Sequence, residues 1–132
     1  PDDRTPVTFI TRYYLDKIKR LCDAHGTKLL FVTAPSPVNH TMQRHNEVQA
    51  LADALAVPYL DLNLNTEELG IDWNLDTLDG GDHLNYTGCQ KATAYLQRYM
   101  QTHYTLPDRR DDVRYEAWNK QAEEFEKLLP QP

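Results

Sequence analysis

The sequence predicts an α/β domain in which parallel strands are layered against helices, with only part of the sheet contained in these 132 residues. Three observations predict it. Amphipathic helical periods alternate with short runs rich in strand-forming residues. Those runs are nearly continuous in apolar side chains, the pattern of strands covered on both faces. Only two such runs occur, whereas a doubly wound sheet usually has about five strands, so the rest of the sheet is expected outside the chain. A third strand hidden in residues 63–78 or in the N-terminus is the alternative.

The elements follow in order. Residues 6–25 read as a helix, with Ile10, Tyr14, Ile18, Leu21 and Cys22 at helical spacing, Thr5-Pro6 at the start and Gly26 at the stop. Lys28–Thr33, bounded by Gly26, Pro35 and Pro37, reads as a buried strand. Residues 41–56 return to the helical period through Val48, Leu51, Ala52 and Leu55, and Pro58–Leu62 is the second strand. Residues 63–84 are polar and irregular, with an Asp-Gly-Gly turn at 79–81. Residues 86–104 carry the clearest helical stripe (Cys89, Ala92, Thr93, Leu96, Tyr99, Met100, His103), and Asn85 is a natural N-cap. After Leu106-Pro107-Asp108 a last helix is expected over 111–129. Its narrow stripe of Tyr115, Trp118, Ala122, Phe125 and Leu129 would pack on its own domain or, as a short coiled coil, on a partner. The expected division is 1–110 for the α/β part and 111–132 for the C-terminal helix.

Composition narrows the function classes. Hydrophobic residues make up 40% and charged residues 26%, an ordinary globular balance. The net charge of -6 provides no electrostatic footprint for nucleic acid and opposes docking on an anionic membrane. No apolar run reaches bilayer-spanning length, and no signal peptide is visible. The start at Pro1-Asp2-Asp3 reads as a processed product or an excised piece. Cys22 and Cys89 fall on apolar stripes and read as buried thiols. A disulfide between them is possible, but spacing does not position one.

The chemistry-bearing segment is Asp79-Gly-Gly-Asp-His-Leu-Asn-Tyr-Thr-Gly88. His83 lies after the second strand and just before a helix, beyond the carboxyl ends of the strands, where open α/β sheets build their sites. A carboxylate on one imidazole nitrogen fixes the tautomer and frees the other nitrogen to take a proton from a nucleophile. Asp79 and Asp82 are both near enough to supply it. On spacing alone, a polar turn with a capping aspartate and an exposed histidine explains the same residues.

This segment, with Lys91 and the helix behind it, resembles the last motif block of the SGNH (GDSL-type) hydrolase superfamily. The strands Leu29–Thr33 and Pro58–Leu62 and the tail Leu106–Tyr115 with Trp118 are also similar to bacterial members. The resemblance covers most of residues 10–118, and its most specific part spans about ten. It implies a three-layer, flavodoxin-like parallel sheet of which this chain is the C-terminal half, with an extra helix. It implies His83 as the catalytic base of a serine esterase or O-acyltransferase acting on a small-molecule or carbohydrate ester. It favours an extracytoplasmic or cell-envelope location for the parent, and it implies no cofactor.

The family's acid precedes its histidine by three residues, which is Gly80 here. Asp79 is favoured, because the two glycines let it loop back, while Asp82 is adjacent to His83 in sequence. Asn85 and Ser36 are the candidate substrate-binding residues, although Asn85 and Gly88 more simply shape the helix start.

The family's nucleophile block is not recognisable. The chain's single serine, Ser36, sits between prolines with no helix behind it to stabilise an oxyanion, and reads as loop structure lining a pocket. Cys89, six residues after His83, is the other nucleophile candidate, though its stripe position favours burial. No metal site is expected, because His40 and His45 are five apart and miss the i, i+4 pairing on one helix face. His25 and His103 fall at helix ends, where they complement the dipole.

The leading expectation is therefore the acid–base portion of an esterase or acyltransferase. The chain would be inactive alone and completed by an upstream half-domain. The alternative is a non-catalytic glycan- or protein-binding module, with a possible homo-oligomer through the last helix.

Overall fold

The structure, a computed structural model, describes residues 3–129. The chain divides into two compact units, the first running to Leu96 and the second starting at Gln97.

In the first unit, α1 spans Phe9–Ala24. It starts three residues later than the periodicity predicts, because the Thr8 hydroxyl caps it by accepting the Thr11 amide at 3.1 Å. Gly26, at φ +65°, terminates it in the left-handed conformation that glycine adopts without a Cβ clash. β1 (Phe31–Thr33) and β2 (Tyr59–Asp61) pair in parallel, with Phe31 opposite Tyr59 and Thr33 opposite Asp61. Between them runs α2 (Met42–Leu55), capped by the Thr41 hydroxyl and closed by Ala56 in the left-handed conformation. A 3₁₀ turn (Leu62–Asn65) and the short helix α3 (Thr66–Leu69) follow β2. Residues 63–78 thus hold no third strand; their only bridge is the isolated antiparallel pair Thr77–Leu84.

Among the described residues, the buried apolar side chains are Leu51, Ala52, Val57, Leu60, Leu62 and Leu69. They belong to α2, to β2 and the residue pair before it, to the 3₁₀ turn and to α3. The stripe of α1 does not join them. Ile10, Tyr14, Ile18 and Leu21 are all exposed, and no residue of α1 is buried. A two-stranded sheet offers that stripe too little surface to cover it. Polar contacts hold the segment instead. Glu47, 2% exposed, accepts the Val7 amide and pairs with Arg12.

Helix α4 (Tyr86–His103) runs across the boundary between the units. Its start is anchored on Asp76, which is 2% exposed. Asp76 accepts from the Asp72 amide at 2.8 Å, the Thr87 hydroxyl at 2.7 Å and Lys91 Nζ at 2.5 Å. Gly88 packs against the same strand of chain. A Cβ there would lie 2.3 Å from the Asp76 carbonyl oxygen, so only glycine fits.

In the second unit, a 3₁₀ turn (Val113–Tyr115) leads into α5 (Glu116–Leu128). The expected helix over 111–129 is thus shortened at its start, where Asp112 caps the turn through the Arg114 amide. No residue of α5 is buried, and Trp118 and Phe125 are exposed. Among the described residues, no helix is long and apolar enough to cross a membrane.

Candidate functional site

His83 stands on the loop between the Thr77–Leu84 bridge partners, closed by the Leu78 amide donating to the His83 carbonyl at 2.9 Å. Gly80 (φ +66°) and Gly81 (φ +103°) turn the chain inside this loop. That turn brings Asp79 back onto His83 twice. Its Oδ1 accepts the His83 amide at 2.8 Å, and its Oδ2 accepts from imidazole Nδ1 at 2.7 Å. Asp82 lies farther off, with Oδ2 at 3.6 Å from Nδ1, and its other oxygen accepts from Asn39 Nδ2. The hydrogen bond that His83 donates to Asp79, then the charges of Asp79 and Asp82, raise the His83 pKa above its ordinary value. The Asp79 carboxyl is held low mainly by the same hydrogen bond. With Nδ1 committed as donor, Nε2 remains a proton acceptor on an imidazole that is 68% exposed.

The loop after β1 abuts this one. Asn39 reaches Asp82, and a Cβ on Gly81 would meet Pro37 Cγ at 2.8 Å. Ser36 lies in that loop, largely buried. Its Oγ accepts the Asn39 amide at 3.0 Å and its own amide donates to Asn63 Oδ1 at 2.8 Å, so its partner is loop backbone and not His83. Asn85 caps α4. Its Oδ1 accepts from the Gly88 amide and the Thr87 hydroxyl, and its Nδ2 donates to the Leu75 carbonyl. Its amide is thus committed to local structure. Cys22 is half-buried and Cys89 exposed, both as free thiols, so the expected burial of Cys89 does not occur.

A second constellation arises where spacing suggests none. His40 Nε2 lies 3.0 Å and His45 Nδ1 2.7 Å from the same oxygen, Asp61 Oδ2. The i, i+4 rule does not apply to this pair, since Thr41 caps α2 and His40 precedes the helix. His40 sits on a turn whose amide donates to the Ser36 carbonyl at 3.0 Å, and His45 sits in the first turns of α2. Asp61 ends β2, at the carboxyl edge where α/β sites gather. That position was the available sequence signal.

Tyr59 Oη also donates to Asp61 Oδ2 at 3.1 Å, while Asn63 donates to Oδ1 through its amide at 3.0 Å and Nδ2 at 2.9 Å. Burial pushes the Asp61 carboxyl up, but the hydrogen bonds from Asn63, His45 and Tyr59 outweigh it and leave the group below its ordinary value. Burial, together with the Asp61 charge and against the Thr33 hydrogen bond, pushes the Tyr59 phenol up to about 12. The histidines and Tyr59 line a cavity of about 260 Å³ that also includes Thr33, Ser36 and Arg44.

In the second unit, Arg109, Arg110, Tyr115, Trp118 and Asn119 line a shallower cleft of about 320 Å³. Arg109 lies 5.5 Å over the Tyr115 ring, and Arg110 is paired with Asp108. Compared with known proteins, the chain matches no family model, no curated protein and no solved structure.

Proposed function

We propose that this chain carries the acid–base half of an ester-bond active site of SGNH type, with His83 as base and Asp79 as its orienting acid. The observation that supports the reading is the 2.7 Å contact between Asp79 Oδ2 and His83 Nδ1, on a loop whose glycines hold the pair together. In this reading a serine from outside these 132 residues attacks the acyl carbon. His83 Nε2 takes the serine proton and hands it to the departing alkoxide, and a water or acceptor hydroxyl then repeats the cycle on the acyl-enzyme. Hydrolysis and transfer differ only in that acceptor. Asp82 tunes the electrostatics of His83 and ties its loop to Asn39.

A second reading, a glycan-binding module, is favoured by the exposed Trp118 beside Tyr115 and Asn119. An aromatic face flanked by hydrogen-bonding groups suits the apolar and polar faces of a sugar ring.

One experiment separates the two. The full-length protein is assayed on an activated acetyl ester and, in parallel, run through a polysaccharide-containing native gel. The ester reading expects His83→Ala to lose turnover by about 10³-fold or more. Equal turnover by wild type and His83→Ala removes His83 from the mechanism. Gel retardation that Trp118→Ala abolishes, in a protein inert toward the ester, selects the second reading.

A further inference from the structure

We infer that His40, His45 and Asp61 form a binding site for one divalent transition-metal ion, zinc being the cation their chemistry fits best. The inference stands apart from the His83 reading, and neither requires the other. The donor set is two imidazoles and one carboxylate, which zinc and ferrous iron both accept. Its three donor atoms lie within 4.8 Å of one another.

The fit is metric as well as chemical. In a tetrahedral site with bonds of about 2.0–2.1 Å, neighbouring donor atoms are about 3.3 Å apart. Here the nitrogen–oxygen separations are 3.0 and 2.7 Å. A cation therefore enters if the side chains spread by a few tenths of an ångström. Both imidazoles now reach the carboxylate as hydrogen-bond donors. On binding, each turns its nitrogen lone pair to the cation and carries its proton on the other ring nitrogen.

The surroundings match those of a ligand shell. Asn63 holds Asp61 Oδ1 with two hydrogen bonds, so Oδ2 is aimed at the histidines. The Asp61 side chain is 1% exposed and the imidazoles are 16% and 15% exposed. A buried carboxylate also gains from a cation, which compensates its charge away from water. With only three protein ligands, the fourth position opens on the cavity of about 260 Å³, which has room for water or a small anion near Arg44. This is the arrangement of an exchangeable zinc site, not of a closed structural one. The three ligands come from the loop after β1, from α2 and from the end of β2. The ion would therefore cross-link the carboxyl edge of the sheet, and through Asn39 the His40 loop meets Asp82.

The test uses the full-length chain stripped of metal with a chelator, then titrated with Co²⁺ and with Zn²⁺ in competition. One equivalent of Co²⁺ is expected to give the visible absorption of a four- or five-coordinate ion, and one equivalent of Zn²⁺ to bleach it. His40→Gln/His45→Gln is expected to weaken binding on the order of 100-fold or more. His83→Gln is expected to leave it unchanged, although Asp79, Asp82 and His83 also have ligand-like spacing. Asp61→Asn removes a hub of buried hydrogen bonds and so perturbs the fold together with the site; the histidine pair therefore decides the matter, with circular dichroism verifying its fold. Zinc binding that survives in the folded double variant, binding lost in His83→Gln, or no stoichiometric binding by the wild type each overturns the inference and leaves the trio a hydrogen-bond hub.

Discussion

At the scale of single residues, two aspartates flank one imidazole and geometry separates their roles. Asp79 holds His83 through both its backbone amide and Nδ1, whereas Asp82 spends one oxygen on Asn39. If His83 is a base, its raised pKa has a kinetic consequence. Only the neutral ring accepts a proton, so the acid limb of kcat/KM against pH is expected above the ordinary histidine value of 6.5. Asp79→Asn removes the largest cause of that rise and the tautomer restraint. It is expected to move the acid limb down in pH and to lower kcat by about 10³–10⁴-fold. Asp82→Asn keeps the restraint and is expected to cost less than about tenfold, with a smaller downward shift. A pH–rate profile of the three proteins reads both effects, and equal losses in the two variants would refute the assignment of roles.

At the scale of elements, the placement of His83 depends on how α4 begins. Asn85 caps the helix, Gly88 lets its first turn lie directly on the Asp76 backbone, and Lys91 reaches back to Asp76 and to the Gly70 carbonyl at 2.8 Å. Gly88→Ala drives a methyl group into that backbone. It is expected to destabilise the fold by about 1–3 kcal/mol, visible as a lower urea midpoint at unchanged slope. Much of this is legible in sequence. The Asp-Gly-Gly turn, the Asn85 cap and the helix behind it follow from turn and capping chemistry. The tie between Gly88 and Asp76 is not legible, because the irregular segment 77–85 separates them and no periodicity links a glycine to a carbonyl. The His40–His45–Asp61 cluster is hidden for a similar reason. Its members are brought together by strand pairing and by the exact start of α2, and spacing along one helix says nothing about either.

At the scale of the whole molecule, buried charge carries a share of the stability that a small apolar core does not. Asp76 is lowered from the ordinary value of 3.8 to about 2, chiefly by its hydrogen bond from Lys91 and then by that from the Asp72 amide. A depressed carboxylate contributes stability in full above its unfolded pKa, and that stability is lost as pH falls through the folded value. For Asp76 the window runs from about 4 down to about 2, and Asp61, also depressed, acts in the same direction. Lys91→Met keeps the stem and removes the cation. It is expected to lower the melting temperature at neutral pH and to flatten its fall between pH 4 and pH 2. An unchanged melting temperature across that range would show that the Asp76–Lys91 pair is not a keystone of the first unit.

The sequence by itself determined the order of the two strands and the four longer helices, the stop at Gly26, the Asn85 cap and the His83 loop, because each is governed by residues within one or two turns of each other. It also yielded the two strands found among the described residues, since strand-forming runs can be counted without knowing how they pair. Only the tertiary structure decided which apolar stripes are covered. The α1 and α5 stripes have the period of packed helices, yet neither helix buries a residue. Amphipathicity specifies a face, and burial requires a partner surface that periodicity does not supply. The same holds for the two histidine sites. Asp79 and His83 meet through a local turn, whereas His40, His45 and Asp61 meet through the pairing of β1 with β2, a contact between residues far apart in the chain.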